Sequence, residues 1–224
     1  MNQKDLVKLI DHTLLRPEAS DADIKRLCKE ALRFGFHSAC VYPYYVSFVK
    51  DLLNDSNVHV TTVIGFPTGM TTTEEKVLEA TNAALAGADE LDIVINIGAL
   101  KSDRWYVVAK DITDVIAATE GLIHKIIIET CYLTTAEKRK IVQISLDAGA
   151  EFIKTSTGFG PKGAQTRDIK LIKSIVGDKA GIKAAGGIKT LRQVLAMHDA
   201  GASRIGTSAG LKIIKEAVNG QIGD

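Results

Sequence analysis

The chain has 224 residues, 46% of them hydrophobic and 25% charged, with a formal net charge of +1. That length fits one globular domain across residues 1–224 with a substantial core, and the near-neutral balance removes any whole-molecule electrostatic case for binding nucleic acid or an anionic membrane. Cys28, Cys40 and Cys131 are odd in number and far apart, which suggests neither a disulfide framework nor a thiolate zinc site and fits a reducing cytoplasm. Lys4, Asp5, Lys8 and Asp11 leave no apolar signal region at the N-terminus, and no stretch reaches a charge-free spanning length, so a soluble, cytoplasmic protein is expected.

In chain order, a short amphipathic segment over Leu6, Val7, Leu9 and Ile10 leads into a first strand, Asp11 to Leu15. Ser20 caps a helix whose Ile24, Leu27, Cys28 and Ala31 share one face, and Gly35 ends it. Ser38 to Tyr42 reads as a strand halted by Pro43, and Val58 to Ile64 as a β-branched strand closed by the Gly65 to Gly69 turn. Thr72 and Glu75 stand at capping-box spacing for a helix through Ala86, as do Thr134 and Glu137 for one through Ala148. Between them lie a strand from Glu90 to Ile95, a helix from Asp103 to Thr119 and a strand from Lys125 to Ile128. Strands at Phe152, Ile182 and Ser203 to Gly206 follow, with helices starting near Thr166 and Thr190 and a last helix to Val218.

The strings Ala86-Gly-Ala-Asp, Ala148-Gly-Ala-Glu and Ala200-Gly-Ala-Ser repeat one helix end, glycine stop and strand start, and Gly35 opens a looser fourth copy. Eight strands alternating with helices predict an α/β fold, a TIM (β/α)8 barrel with a short N-terminal helix and its active site at the strand C-terminal ends. A doubly wound open sheet is the alternative, disfavoured by the lack of Gly-x-Gly-x-x-Gly after an early strand.

On a barrel, Asp11, Asp92, Glu129, Lys154 and Lys183 are expected to converge at strand ends. Lys154 closes an apolar strand, and Lys183 stands just before a glycine turn. A lysine so placed is paired, turned to water, or held with a depressed pKa as an amine nucleophile. Gly186 and Gly187 after the seventh strand, and Gly206, Thr207 and Ser208 running from the eighth into the last helix, let backbone N–H groups approach an anion at the usual phosphate corner of barrels. The five histidines show no ligand spacing, which puts them at surface or core positions and argues against a metal; no cofactor is expected. Cys40, in an apolar strand, reads as a small hydrophobe.

These motifs carry a resemblance. Asp11-His-Thr, Val63-Ile-Gly-Phe-Pro-Thr-Gly69, Glu90-Leu-Asp-Ile-Val, Ile128-Glu-Thr, Glu151-Phe-Ile-Lys-Thr-Ser-Thr-Gly158, Ile182-Lys-Ala-Ala-Gly-Gly187 and Arg204-Ile-Gly-Thr-Ser look like the deoxyribose-phosphate aldolase family, and the match runs over almost the whole chain. The resemblance implies a metal-independent class I aldolase that reversibly cleaves 2-deoxy-D-ribose 5-phosphate to D-glyceraldehyde 3-phosphate and acetaldehyde, with small phosphorylated sugars and aldehydes as ligands and a homodimer as the family expectation. By the same resemblance Lys154 is the Schiff-base lysine, while Lys183 and Asp92 exchange protons with the substrate. Lys183 is expected to lower the Lys154 pKa by like-charge repulsion, helped by desolvation. Asp11 and Thr13 would orient substrate hydroxyls, and Thr155, Gly158, Gly186, Gly187, Gly206, Thr207 and Ser208 would bind the substrate.

Three positions depart from the family pattern. The last tyrosine is Tyr132, so the C-terminal tyrosine of some members has no counterpart. Phe159 stands where other members carry a lysine, which leaves Lys162 or backbone groups for the phosphate, and Ala209 replaces a possible serine. Two other classes make distinct predictions: a metal-dependent barrel enzyme would lose activity to a chelator, and a non-catalytic sugar-phosphate sensor would be stabilised by ligand without turnover.

Overall fold

The computed structural model describes residues 2–220, so the C-terminal tail at 221–224 lies outside the described residues. Eight strands, β1 (Ile10–Thr13), β2 (Ser38–Val41), β3 (His59–Ile64), β4 (Glu90–Val94), β5 (Ile123–Ile127), β6 (Phe152–Lys154), β7 (Gly181–Ala185) and β8 (Arg204–Thr207), close into a barrel in chain order. Neighbours are parallel throughout, and β8 returns to pair with β1. The helices are α1 (Gln3–Lys8), α2 (Asp21–Phe34), α3 (Val46–Leu52), α4 (Thr73–Leu85), α5 (Ile97–Lys101), α6 (Trp105–Ala118), α7 (Thr135–Asp147), α8 (Thr166–Val176), α9 (Leu191–Asp199) and α10 (Gly210–Asn219). The expected barrel with its short N-terminal helix is the observed fold.

Helix starts follow local chemistry. Full capping boxes form at Ser20 with Asp23, Thr72 with Glu75, Thr134 with Glu137 and Thr190 with Gln193, each satisfying two backbone donors that the first turn would leave free. Several boundaries differ from the sequence reading, among them β1, which ends at Thr13 rather than Leu15. The helix expected from Asp103 to Thr119 is α6, which starts at Trp105, and a further short helix, α5, precedes it; the two are parted at Asp103, whose φ of 57° no α-helix accommodates. A 3-10 turn at Pro43–Tyr45 and the helix α3 occupy the stretch read only as a stop, because α3 starts without a side-chain cap to announce it. The fifth strand runs from Ile123 to Ile127, two residues earlier at its start than expected.

The strands pack differently on their two faces, and this positions the site. On β4, Leu91 and Ile93 join the apolar layer beneath the helices, together with Ile126 of β5, Ile153 of β6, Ile182 of β7 and Ile205 of β8. Glu90 and Asp92, at the alternate positions, form ion pairs with residues of other strands inside the barrel. On these strands period two therefore sorts the side chains into an outer apolar seam and an inner one that carries the charges.

Candidate active site

Lys154 is the last residue of β6, and its Nζ donates to Asp92 Oδ2 at 2.7 Å. Lys183 lies level with it on the neighbouring β7. Lys183 Nζ donates to the same Asp92 oxygen at 2.6 Å and pairs with Asp11 Oδ2 at 2.5 Å. The other Asp92 oxygen, Oδ1, accepts from Lys125 Nζ of β5 at 3.0 Å, and that ammonium also reaches Glu90 Oε2 at 2.6 Å. Arg204 Nη1, from the first residue of β8, spans Asp11 Oδ1 at 3.0 Å and Glu90 Oε2 at 3.2 Å. Every side chain in this lattice is buried.

Strand-end placement holds for Lys154, whereas Asp11, Asp92 and Lys183 sit inside β1, β4 and β7 rather than at their tips. Each lies two residues short of the strand end at which the sequence reading placed it. The reason is that charged residues paired across a barrel can occupy interior layers that an apolar count assigns to side chains such as Val or Leu. Glu129 follows β5 with a left-handed φ of 47° and accepts from the Thr157 backbone at 3.1 Å and from its hydroxyl, so it shapes the loop after Lys154.

The two upper lysines are electrostatically unequal. Burial pulls the Lys154 pKa below the ordinary lysine value; Asp92 opposes this and the Lys183 charge adds to it, so desolvation leads and repulsion follows, the reverse of the expected order. Burial acts on Lys183 in the same sense, but Asp11 and Asp92 together outweigh it and hold Lys183 above the ordinary range. Asp92 is pushed up by burial yet held well below the usual carboxylate range by Lys125, Lys154 and Lys183. Burial pushes the Cys40 thiol up to about 11, in keeping with its reading as a small hydrophobe.

Lys154 opens on a cleft of about 980 Å³, whose lining also includes Thr13, Gly158, Gly186, Gly187, Gly206, Thr207 and Ser208. Asp11, Asp92 and Lys183 lie beneath that lining. Thr155 does too: its hydroxyl donates to the Ala185 carbonyl at 3.2 Å and accepts from the Ala185 N–H at 3.1 Å, tying β6 to β7. Gly186 has a left-handed φ of 89°, and a Cβ there would stand 2.9 Å from Gly163 Cα, so the turn closes against backbone. At Gly206 a Cβ would lie 3.1 Å from Lys183 Cε, so the glycine makes room for that side chain. Ser208 precedes the N-terminus of α10 at Gly210, and Lys189, Lys212 and Lys215 rim the same end of the cleft. Phe159 also lines the cleft, while Lys162, the cation suggested by sequence, is outside the lining.

Sequence reasoning missed Glu90, Lys125 and Arg204 as parts of the site. The available signal was parity: Lys125 heads the run Lys-Ile-Ile-Ile, a charged residue in an otherwise apolar strand, as Lys154 is in Phe-Ile-Lys. Asp11, His37 and Glu90 bring three ligand-type atoms within 4.8 Å of one another. The Arg204 guanidinium already bridges the two carboxylates, so a cation fills that place.

Fold and site together define a barrel enzyme organised on a buried lysine beside a glycine-lined cleft. A family model described as DeoC/LacD family aldolase matches residues 6–216. A deoxyribose-phosphate aldolase of Dictyoglomus turgidum is 51% identical over 214 residues, covering 96% of this chain and 98% of the relative, and one of Thermococcus kodakarensis is 51% identical over 221 residues, covering 97% and 99%. Among solved structures, a tetrameric deoxyribose phosphate aldolase from Aeropyrum pernix superposes with a TM-score of 0.90 at 32% identity, covering 96% of this chain and 92% of that one. The chain belongs to the DeoC/LacD family of aldolases, and its reaction class is that of a lyase.

Proposed function

We propose that the chain cleaves 2-deoxy-D-ribose 5-phosphate reversibly to D-glyceraldehyde 3-phosphate and acetaldehyde through a Schiff base on Lys154. The neutral Lys154 amine adds to the C1 aldehyde of the open-chain sugar, and the carbinolamine loses water to give an iminium. Loss of the C3 hydroxyl proton then breaks the C2–C3 bond, with the electron pair taken up as an enamine; D-glyceraldehyde 3-phosphate departs. Protonation of the enamine at C2 and hydrolysis release acetaldehyde and restore the amine. No other electron sink is needed.

Lys183 keeps its proton and, with Asp92 and water, carries the protons of dehydration and enamine protonation. Asp11 anchors Lys183, Thr13 faces the substrate hydroxyls from the cleft wall, and the backbone at Gly186, Gly187, Gly206, Thr207 and Ser208 takes the phosphate at the start of α10. Phosphorylated sugars are confined by their charge to the compartment that makes them, which favours a cytoplasmic site of action. No helix among the described residues is long and apolar enough to cross a membrane.

The observation that carries this reading is the inequality of the two lysines. Lys183 faces two carboxylates, while Lys154 shares one oxygen of Asp92 with it and alone opens on the cleft. Borohydride trapping with 2-deoxyribose 5-phosphate or acetaldehyde, followed by peptide mapping with and without chelator, tests it. A reduced adduct on Lys154 in both samples is expected. An adduct confined to Lys183, no adduct, or loss of the adduct in chelator would refute the assignment.

A further inference from the structure

Beneath the two lysines of the proposed reaction lies a second charged layer that the reaction scheme does not use. Glu90 is its hub. From β5 the Lys125 ammonium reaches Glu90 Oε2 at 2.6 Å, from β8 Arg204 Nη1 reaches it at 3.2 Å, and from β3 the Thr61 hydroxyl donates to it at 3.0 Å. His37, just before β2, donates through Nε2 to Glu90 Oε1 at 2.8 Å and stacks on His59 at 4.8 Å between ring centroids. Two of these groups reach upward: the Lys125 ammonium also holds Asp92 Oδ1 at 3.0 Å, and Arg204 Nη1 holds Asp11 Oδ1 at 3.0 Å, so Lys125 is the link to Asp92 itself. Asp92 thus offers Oδ1 to the lower layer and Oδ2 to Lys154 and Lys183.

We propose that Glu90 and Lys125 are positioning residues for the aldol reaction, and that the sharing of the Lys125 ammonium between Glu90 and Asp92 sets how strongly Asp92 holds the proton of Lys154. The inference rests on Lys154 being the nucleophile. The contacts are lopsided, 2.6 Å to Glu90 against 3.0 Å to Asp92. Glu90 draws the cation down, and Asp92 keeps more of its negative charge for the two lysines above. A purely structural ion lattice would serve as well with Lys125 midway. Burial makes the sharing effective, because Lys125, Glu90 and Asp92 have almost no contact with solvent that could screen them.

Two substitutions with opposite charge effects test this. Lys125→Met removes a cation from beneath Asp92, so the Lys154 proton is held more tightly and the acid limb of adduct formation moves to higher pH. Glu90→Gln releases Lys125 wholly to Asp92 and deletes a negative charge, so the limb moves to lower pH. Each shift is expected to be on the order of one to two pH units, the size for a unit charge roughly 7–12 Å away at an effective dielectric constant of about 20. The measurement is the pH dependence of borohydride-trapped adduct on Lys154 with acetaldehyde, in variants whose folding is verified by thermal denaturation. Lys125→Arg keeps the charge and is expected to retain the wild-type limb whatever its rate.

Opposite shifts establish the sharing. Shifts of the same sign, or limbs that stay put while the rates fall, overturn it and leave a lattice that only supports the fold. If one variant does not fold, the other decides by its own sign. Failure of wild-type protein to trap acetaldehyde on Lys154 would instead refute the proposed reaction, so the two failures are distinguishable.

Discussion

Replacing Lys183 by Met should make Lys154 a worse nucleophile by making it a stronger base. Both ammonium groups bond Asp92 Oδ2, at 2.6 and 2.7 Å, so their nitrogens are no more than about 5 Å apart, and at an effective dielectric constant near 20 their repulsion is about 3 kcal/mol. Removing it raises the Lys154 pKa by roughly 2 units. Desolvation, the larger cause of the depression, stays in place because Met fills most of the lysine volume. In the pH range where Lys154 is mainly protonated, its neutral fraction falls about 100-fold. The assay is the rate of cyanoborohydride trapping on Lys154 against pH, paired with a direct titration of 15N-labelled lysine. The trapping limb should move up by the same amount as the titration. An unmoved titration, or a loss of trapping equal at all pH values, would refute the electrostatic account and leave Lys183 as a proton carrier only.

Two stability predictions follow from charges elsewhere. Lys76 of α4 is fully buried and pairs with Asp111 of α6, also donating to the Val94 carbonyl at 2.8 Å; Lys76→Met leaves a buried carboxylate unpaired and should cost about 3–5 kcal/mol, read as a melting temperature lower by ~10 °C. Asp11, Glu90 and Asp92 all titrate below their ordinary values in the folded state, each despite burial and through neighbouring cations led by Lys183 for Asp11 and by Lys125 for the other two. The unfolded chain therefore binds more protons at acid pH, and stability should be fully present above about pH 5 and fall steadily as pH drops through 4 and below. Denaturant unfolding at a series of pH values checks this; a flat profile between pH 5 and 2 would contradict it.

Most of the barrel was legible because its signals are local. Capping boxes at Thr72 and Thr134, the Gly-Ala stops after Ala86, Ala148 and Ala200, and short β-branched runs each fix an element without reference to the rest. The expected site residues split on a physical line. Lys154, Thr13 and the glycines at 158, 186, 187 and 206 line the cleft, as do Thr207 and Ser208, since a strand end or a glycine turn can be read from its neighbours. Glu90, Lys125 and Arg204 were not legible, because their meaning comes from which strands meet across the barrel interior. Arg204 and Asp11 are 193 residues apart yet 3.0 Å in space. A charged residue in an apolar strand marks an inward position, but its partner is set by register and barrel closure.

The buried lattice also gives a reason for the proposed nucleophile to be Lys154. Lys125, Lys154, Lys183 and Arg204 face Asp11, Glu90 and Asp92, so full ionisation leaves one cation in excess in a dry interior. An uncompensated buried charge is the costliest state available, and the group that gives up its proton most easily relieves it. Arginine does not deprotonate, Lys125 bridges Glu90 and Asp92, and Lys183 bridges Asp11 and Asp92. Lys154 has a single carboxylate oxygen, already shared with Lys183, and it is also the lysine that opens on the cleft. The excess of one cation thus makes Lys154, placed where it can reach a carbonyl, the lysine that gives up its proton most readily in the proposed reaction. Adding an anion to the lattice should restore the proton to Lys154; removing one should make the amine more readily neutral without touching it.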